Sequence, residues 1–320
     1  MQLDAHDVLV LERSESAAAW SAAGAIVRSA DVAAMPADEL AGAASEIVGT
    51  LPRRLLRAVH AYRSQAASGD VLLLRGLLPD EEFGSTPAGS AAPLEGAPAQ
   101  RAALLLLGVM LLIGEPFNFR TLYRGRLVQH VVPVPSMEFT QTSESSSGSL
   151  DWHVEDGFSP DRCDYFGLLC LRGDRLASTE YACARDLDLP ADVRRILRLS
   201  RFEMAPDSAH QLDNPVPTRT PVVFGPAHAR EICYDAHYLR PVRPDCAEDV
   251  AALRTLAGEL DRHRRRHVME RGDLLVLDNR RVVHARTPFA ARHDGTDRWL
   301  LRTMVCASVP KYRRRGGRII

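Results

Sequence analysis

At 320 residues the chain is long enough for two domains or one large one, and its 46% hydrophobic content can build a sizeable core. Forty Lys and Arg against 41 Asp and Glu leave a formal charge of −1, which excludes a generally basic nucleic-acid binder and an acidic tail protein. Met1 to Asp7 carries acids where an export signal needs positive charge, so none is read there. The six cysteines show no C-x-x-C pair and are expected as free thiols in a reducing cytoplasm.

In chain order, Leu55, Val59 and Tyr62 recur at helical spacing after Pro52, and that helix should end near Gly69. Val71 to Gly76 is a short apolar run closed by a glycine and predicts a buried strand. The Pro- and Gly-rich stretch 79–100 predicts a flexible loop. Ala102 to Ile113 predicts a buried helix, because it falls well short of the roughly 20 residues that cross a bilayer. Leu127 to Val132 is β-like, and Ser143 to Ser149 predicts a flexible polar loop.

From Leu150 onward, short apolar runs alternate with turn residues: Tyr165–Leu171, Pro221–Phe224, Glu231–Tyr234, Asp273–Leu277 and Arg298–Val305. A helix interrupts them at 247–263, with Val250, Leu253, Leu256 and Leu260 on one face. The expected plan is mainly β with flanking helices, in one catalytic domain over 1–320. A helical wrap fills 1–120, a strand-rich core 121–310, and a basic tail 311–320.

The chemistry starts at Trp152-His153-Val154-Glu155. In a strand, side chains at i and i+2 share a face, so His153 and Glu155 can aim at one point. Alone, H-x-E is a weak signal. A third ligand is offered by His284, after the apolar strand Leu274 to Leu277 and a turn at Asp278-Asn279. Two histidines and a carboxylate form the facial triad that leaves three positions open on Fe(II), as a bidentate 2-oxo acid plus O2 requires. Arg298 follows 14 residues after His284. By strand alternation Arg298, Leu300 and Arg302 share one face, and Trp299, Leu301 and Thr303 the other. Two guanidiniums on one face of an apolar strand need carboxylate partners, and 2-oxoglutarate and an amino-acid substrate would supply one each.

At these residues the sequence resembles the clavaminate synthase-like Fe(II)/2-oxoglutarate-dependent oxygenases. It is most similar to the amino-acid β-hydroxylases of peptide-antibiotic biosynthesis, such as the viomycin-pathway arginine hydroxylase and asparagine oxygenase. The stretches that carry the resemblance are VLLLRGLLPD (71–80), GRLVQHVVPVP (125–135), WHVEDGFSPDRCDYFGLLCLRG (152–173), PVVFG (221–225) and GDLLVLDNRRVVHARTPFAARHDGTDRWLLR (272–302). It implies a double-stranded β-helix (jelly-roll) core and a dioxygenase that uses Fe(II), 2-oxoglutarate and O2 to hydroxylate a free L-amino acid, at Cβ. His153, Glu155 and His284 stand at the iron-ligand positions, and these three are the catalytic and metal residues. Arg298 stands where the distal carboxylate of 2-oxoglutarate is gripped, with Thr179 near a threonine that helps hold it. Arg302 matches the arginine for the substrate α-carboxylate, Gln129 a contact to the amino-acid backbone, and Asp235 an acidic side-chain selector.

Two positions depart from that pattern. Val154 stands where relatives often have Thr, and His237 occupies the place of a second selector acid. A basic amino acid (arginine, lysine or a relative) is the first choice of substrate, and a neutral polar or carrier-bound one is the alternative. A zinc hydrolase using the same three ligands, or a silent jelly-roll binding module, remains as a competing function. The loop around Ser143–Ser149 and the segment near Asp235 are lid candidates. His130 is expected to face away from the site. The runs Arg262–His267 and Arg313–Arg315 are read as solvated surface rather than nucleic-acid contacts. No membrane partner is expected, and oligomeric state is not readable.

Overall fold

Apolar side chains set at helical spacing and at period two divide this chain between an outer helical layer and two β-sheets. The structure is a computed structural model and describes residues 8–64 and 69–320, so the acidic stretch Met1 to Asp7 lies outside the described residues. The chain opens with β1 (Val8–Val10), α1 (Arg13–Ser29), α2 (Ala37–Ile47), α3 (Arg53–Arg63), β2 (Val71–Arg75), α4 (Ala97–Leu111), β3 (Glu115–Phe117) and β4 (Gln129–Val131). The middle holds β5 (Leu150–His153), β6 (Tyr165–Arg172), β7 (Ser178–Cys183), α5 (Ala191–Leu197), β8 (Phe202–Met204), β9 (Thr218–Thr220), β10 (Val223–Phe224), β11 (Glu231–Ile232) and β12 (Leu239–Pro241). It closes with α6 (Ala247–Arg262), β13 (Arg265–Val268), β14 (Leu274–Asp278), β15 (Val282–Arg286), β16 (Trp299–Cys306) and α7 (Val309–Arg315).

The larger sheet has the order β1-β2-β14-β6-β16-β3, with β4 also paired to β16, and the smaller one the order β13-β7-β15-β5. Every strand pair of the two sheets is antiparallel apart from β1 with β2. The central strands β2, β6 and β14 of the larger sheet are apolar on both faces, as strands covered on both sides must be. Leu73, Phe166, Leu168, Leu275, Leu300 and Met304 of the larger sheet meet Tyr181, Cys183 and Val282 of the smaller one between the layers. The alternate residues Leu72, Leu74, Leu169, Leu274, Val276 and Leu301 pack outward against the helices α1 to α4. Ala182, Val283 and Ala285 face away from the larger sheet, in a cluster that contains Leu256 and Leu260 of α6. This is the jelly-roll plan with a helical wrap.

Several boundaries differ from the sequence expectation. The helix after Pro52 ends at Arg63, six residues before Gly69. Helix α4 begins at Ala97, inside the stretch read as loop, because Pro98 is tolerated in a first turn. The rest of that loop is packed down: Phe83 and Leu94 are buried, and the Thr86 N–H donates to the Gly295 carbonyl at 2.8 Å. The cluster 262–267 is solvated at Arg262 and Arg266 but not throughout. The helix stops at Arg262 and β13 begins at Arg265, which is buried and pairs with Asp186 at 3.0 Å. Arg264 and Arg266 both reach Glu180, at 2.8 and 2.6 Å. The basic tail is likewise folded. Arg315 buries its guanidinium over the Phe117 ring at 3.9 Å and donates to Asp161, while Ile319 bridges Asn118. No helix among the described residues is long and apolar enough to cross a membrane. The six cysteines are free thiols, and five of them are buried.

Candidate active site

A cavity of about 1000 Å³, including its open mouth, lies between the two sheets. Its floor is made by the inward residues of β7, β15 and β16, and its rim by segments 141–143, 205–209 and Asp235 with Tyr238. Strand β5 ends at His153, directly opposite His284 in the middle of β15, so the two imidazoles are a cross-strand pair. Their ring centroids are 4.0 Å apart.

Glu155 does not continue β5, so the i, i+2 strand argument does not describe its geometry. It sits in a turn, and the next residue, Asp156, takes φ +52°. The turn is pinned by Asn279, whose Oδ1 accepts from the Glu155 N–H at 2.8 Å. That anchor brings the Glu155 carboxylate to 3.3 Å from His284 Nε2. His153, Glu155 and His284 each offer a ligand atom within 4.8 Å of one another. The His153 Nδ1 hydrogen bond to the Asp151 carbonyl, 2.8 Å long, leaves Nε2 free for a metal.

The charges here are tightly balanced. Burial would raise the Glu155 carboxyl, but Arg302 and the two histidines hold it well below the usual carboxylate range. Burial, reinforced by His153, pushes His284 down to about 4, so its ring is neutral and able to ligate at neutral pH. Burial would lower Arg302, but Glu155 and Tyr123 hold it above its ordinary value.

The sequence pairs Arg302 with a substrate carboxylate, and the structure also pairs it within the protein. Its Nη1 donates to Glu155 Oε2 at 2.7 Å, and its Nε and Nη2 to Gln129 Oε1 at 2.9 and 2.6 Å. A guanidinium has five N–H donors, so two remain for a ligand. Gln129 is fully buried behind Arg302 and does not line the cavity; its Nε2 finds no partner among the described residues.

Arg298 lies one residue before β16 and faces the cavity with Leu300 and Arg302, as the alternation predicts, although the register with β6 shifts at Trp299. Trp299 and Leu301 face the helices. Arg298 is 4% exposed, and its Nε has no hydrogen-bond partner among the described residues. Thr179 on β7 also lines the cavity with Oγ1 unpartnered among the described residues, whereas its neighbour Ser178 donates to or accepts from Thr287 Oγ1 at 3.1 Å. His130 is turned away: its Nδ1 accepts from Trp299 Nε1 at 3.0 Å. Val154 is packed in the apolar cluster beyond the smaller sheet.

Asp235 bridges His153 through the backbone and lines the cavity. Its Oδ1 accepts from the N–H groups of His237 and Tyr238, both at 2.7 Å. Burial raises its carboxyl, and His153 partly offsets that. His237 is exposed, so it does not replace a second acid inside the site. Asp156 and Asp207, which the sequence reading missed, line the cavity too. Burial and the neighbouring Asp156 raise Asp207, and Asp156 itself is held by His210 Nε2 at 2.9 Å. Tyr123, also missed, presents its ring 5.9 Å from the Arg302 guanidinium and shares a 3.1 Å hydrogen bond with Ser143. An isolated acid in a loop and a tyrosine in a turn carry no periodic signal in a sequence.

The donor set suits a divalent iron: two imidazoles, one ionised carboxylate, and room beside them. The unpartnered Arg298 Nε and Thr179 Oγ1 suit a carboxylate of an oxo acid at the far side of the same cavity.

Comparison with known proteins agrees with this chemistry. The sequence pattern of the taurine catabolism dioxygenase TauD, TfdA family matches residues 63–304. The chain is 33% identical over 291 residues to enduracididine beta-hydroxylase of Streptomyces hygroscopicus, covering 82% of this chain and 84% of the relative. It is 36% identical over 270 residues to L-asparagine oxygenase of Streptomyces coelicolor, covering 82% and 78%. The solved structure of asparagine oxygenase with Fe(II), 2S,3S-3-hydroxyasparagine and succinate superposes with a TM-score of 0.88 at 30% identity, over 98% of this chain and 99% of that one. The non-heme iron oxygenase OrfP with Fe, succinate and (3S)-hydroxy-L-Arg gives 0.85 at 26% identity, over 98% and 99%. The converging ligands, the waiting guanidinium and these likenesses together place the chain in the TauD/TfdA family, as an iron(II)- and 2-oxoglutarate-dependent dioxygenase.

Proposed function

We propose that this enzyme hydroxylates a free L-amino acid with a cationic side chain at its β-carbon, in specialised-metabolite biosynthesis. The observation that carries the reading is the polarity of the cavity. Arg302 lines the same cavity as the carboxyls of Asp156, Asp207 and Asp235, so one chamber offers a cation for a carboxylate and acids for a cationic side chain. An α-carboxylate would take the two remaining donors of Arg302, and a cationic side chain would relieve the raised carboxyls of Asp207 and Asp235. Relatives named as hydroxylases of enduracididine, of ornithine and arginine, and of lysine support the cationic choice. L-asparagine oxygenase keeps a neutral polar substrate as the second reading.

In this reading His153, Glu155 and His284 hold the iron, and Arg298 with Thr179 holds the distal carboxylate of 2-oxoglutarate. Bound iron and 2-oxoglutarate supply the oxidative chemistry: O2 is consumed, the oxo acid becomes succinate and CO2, and one oxygen atom enters a C–H bond. The protein's part is placement. Arg302 and Asp235 grip the two ends of the amino acid and so decide which carbon faces the metal. Gln129 acts through Arg302, fixing the plane of its guanidinium. A zinc hydrolase would leave the buried Arg298 without a ligand, and a silent binding module would not need three convergent metal donors. A diffusible metabolite as substrate fits an enzyme of the cytoplasm.

The test is succinate release by the purified protein with Fe(II) and 2-oxoglutarate across the common amino acids and their cyclic guanidino relatives. A cationic amino acid should stimulate release most, with a product 16 mass units heavier, which is one oxygen atom. Stimulation by neutral residues alone would overturn the side-chain assignment.

A further inference from the structure

Arg286 spends its hydrogen-bond donors on neutral oxygens, mostly from one short segment. Its Nη1 donates to the Ser146 and Thr287 carbonyls at 3.1 and 3.0 Å, and its Nη2 to Ser145 Oγ and the Gly148 carbonyl at 2.8 and 2.9 Å. The segment read from sequence as a flexible loop is therefore fastened, with Ser145 and Ser146 buried. Arg286 itself is 5% exposed, and its Nε finds no partner among the described residues. Strand alternation puts Arg286 on the same face as His284, and the register sets it beside Thr179. Arg298, 4% exposed, lines the same cavity as Arg286. One end of the cavity thus collects two mutually repelling buried guanidiniums and a spare hydroxyl. Such an arrangement is costly until an anion enters it.

We propose that Arg286 is a positioning residue that couples bound 2-oxoglutarate to the seating of segment 141–149 over the amino-acid pocket. The inference rests on the function proposed above. A carboxylate held by Arg298 and Thr179 cancels the repulsion on Arg286, so Arg286 stays inside and keeps its grip on Ser145, Ser146 and Gly148. Gln141, Thr142 and Ser143 of the same segment line the cavity, and Ser143 meets Tyr123. The oxo acid therefore finishes one wall of the amino-acid pocket before the amino acid arrives. By linkage the amino acid tightens 2-oxoglutarate by the same factor.

The experiment follows amide hydrogen exchange of 141–149 in the protein loaded with Mn(II), with and without 2-oxoglutarate and with no amino acid present. Binding of 2-oxoglutarate is measured separately by calorimetry. In the native protein, exchange over 145–149 should slow roughly tenfold on saturation. Arg286→Lys keeps the charge and loses the fork, so the slowing should vanish while 2-oxoglutarate affinity stays within about threefold. Its KM for the amino acid and its succinate released per product should both rise. Ser145→Ala removes one acceptor outside the cavity wall and should cut the slowing to about threefold, which tests the link without disturbing a buried charge. Equal exchange with and without bound 2-oxoglutarate would overturn the coupling and leave the proposed function standing. Absence of any 2-oxoglutarate binding would overturn both.

Discussion

Asn279 and Glu155 hold each other through a reciprocal side-chain-to-backbone pair across 124 residues of sequence: Asn279 Oδ1 accepts from the Glu155 N–H at 2.8 Å, and Asn279 Nδ2 donates to the Glu155 carbonyl at 3.0 Å. The same Nδ2 reaches the Cys163 carbonyl at 3.1 Å. The turn between β14 and β15 thereby sets the height of the Glu155 carboxylate, the proposed metal ligand, which strand geometry does not set.

Asn279→Ala should strand these buried backbone groups. Loss of roughly 2–4 kcal/mol of stability is expected, read from denaturant midpoints. Metal affinity should fall about 10–100-fold, as for other groups that orient a ligand, read by Mn(II) titration. Unchanged metal binding would mean that the Glu155 turn holds itself.

Removing two of the proposed metal ligands should separate activity from stability. Glu155→Gln breaks the buried 2.7 Å pair with Arg302 and should cost about 3–5 kcal/mol. His153 is half-buried with one hydrogen bond to the backbone, so His153→Ala should cost only about 1 kcal/mol. Both variants should lose hydroxylation, checked by product mass. A His153→Ala protein that still hydroxylates would remove it from the ligand set.

Arg298→Met should raise the melting temperature of the ligand-free protein while raising the KM for 2-oxoglutarate by at least about 100-fold. A buried guanidinium with no ion pair among the described residues opposes folding, and burial pulls Arg298 below its ordinary value with Asp174 only partly opposing. Thermal scans with and without 2-oxoglutarate separate the two effects, because the ligand should stabilise only the native protein.

Asp235→Asn keeps the Oδ1 acceptor for the His237 and Tyr238 N–H groups and removes the charge. The KM for a cationic amino acid should rise about 10–100-fold, with 2-oxoglutarate turnover uncoupled from hydroxylation retained. An equal rise for a neutral amino acid would point to a packing role instead.

Asp278, at the end of β14, sets a pH dependence of stability. Burial raises its carboxyl to about 7, with the Arg280 N–H and Arg281 opposing. An unfolded chain releases that proton near pH 4. The folded protein therefore binds more protons across this window, and stability falls as pH rises from about 4 to about 7. Asp278→Asn should flatten the fall and leave the variant the more stable of the two at pH 8. Parallel melting curves at pH 5 and pH 8 would dismiss the effect.

The sequence by itself determined the layering and most of the proposed iron site. Period-two runs such as Leu72 to Leu74 and Leu274 to Leu277 assign their faces locally, because strand side chains alternate whatever lies across from them. His153, Glu155, His284 and Arg298 were legible as residue types that chemistry needs together, and the structure does bring them to one cavity. Only the tertiary structure decided how Glu155 is held, that Gln129 stands behind Arg302, that Asp207 and Tyr123 enter the cavity, and that Arg286 fastens the segment read as flexible. Arg265 and the Arg315 side chain became buried clasps for the same reason, while Arg262, Arg266, Arg313 and Arg314 of the same runs stay exposed. A charge or a loop residue takes its role from the partner it meets across the fold, and no local period in the chain encodes that meeting.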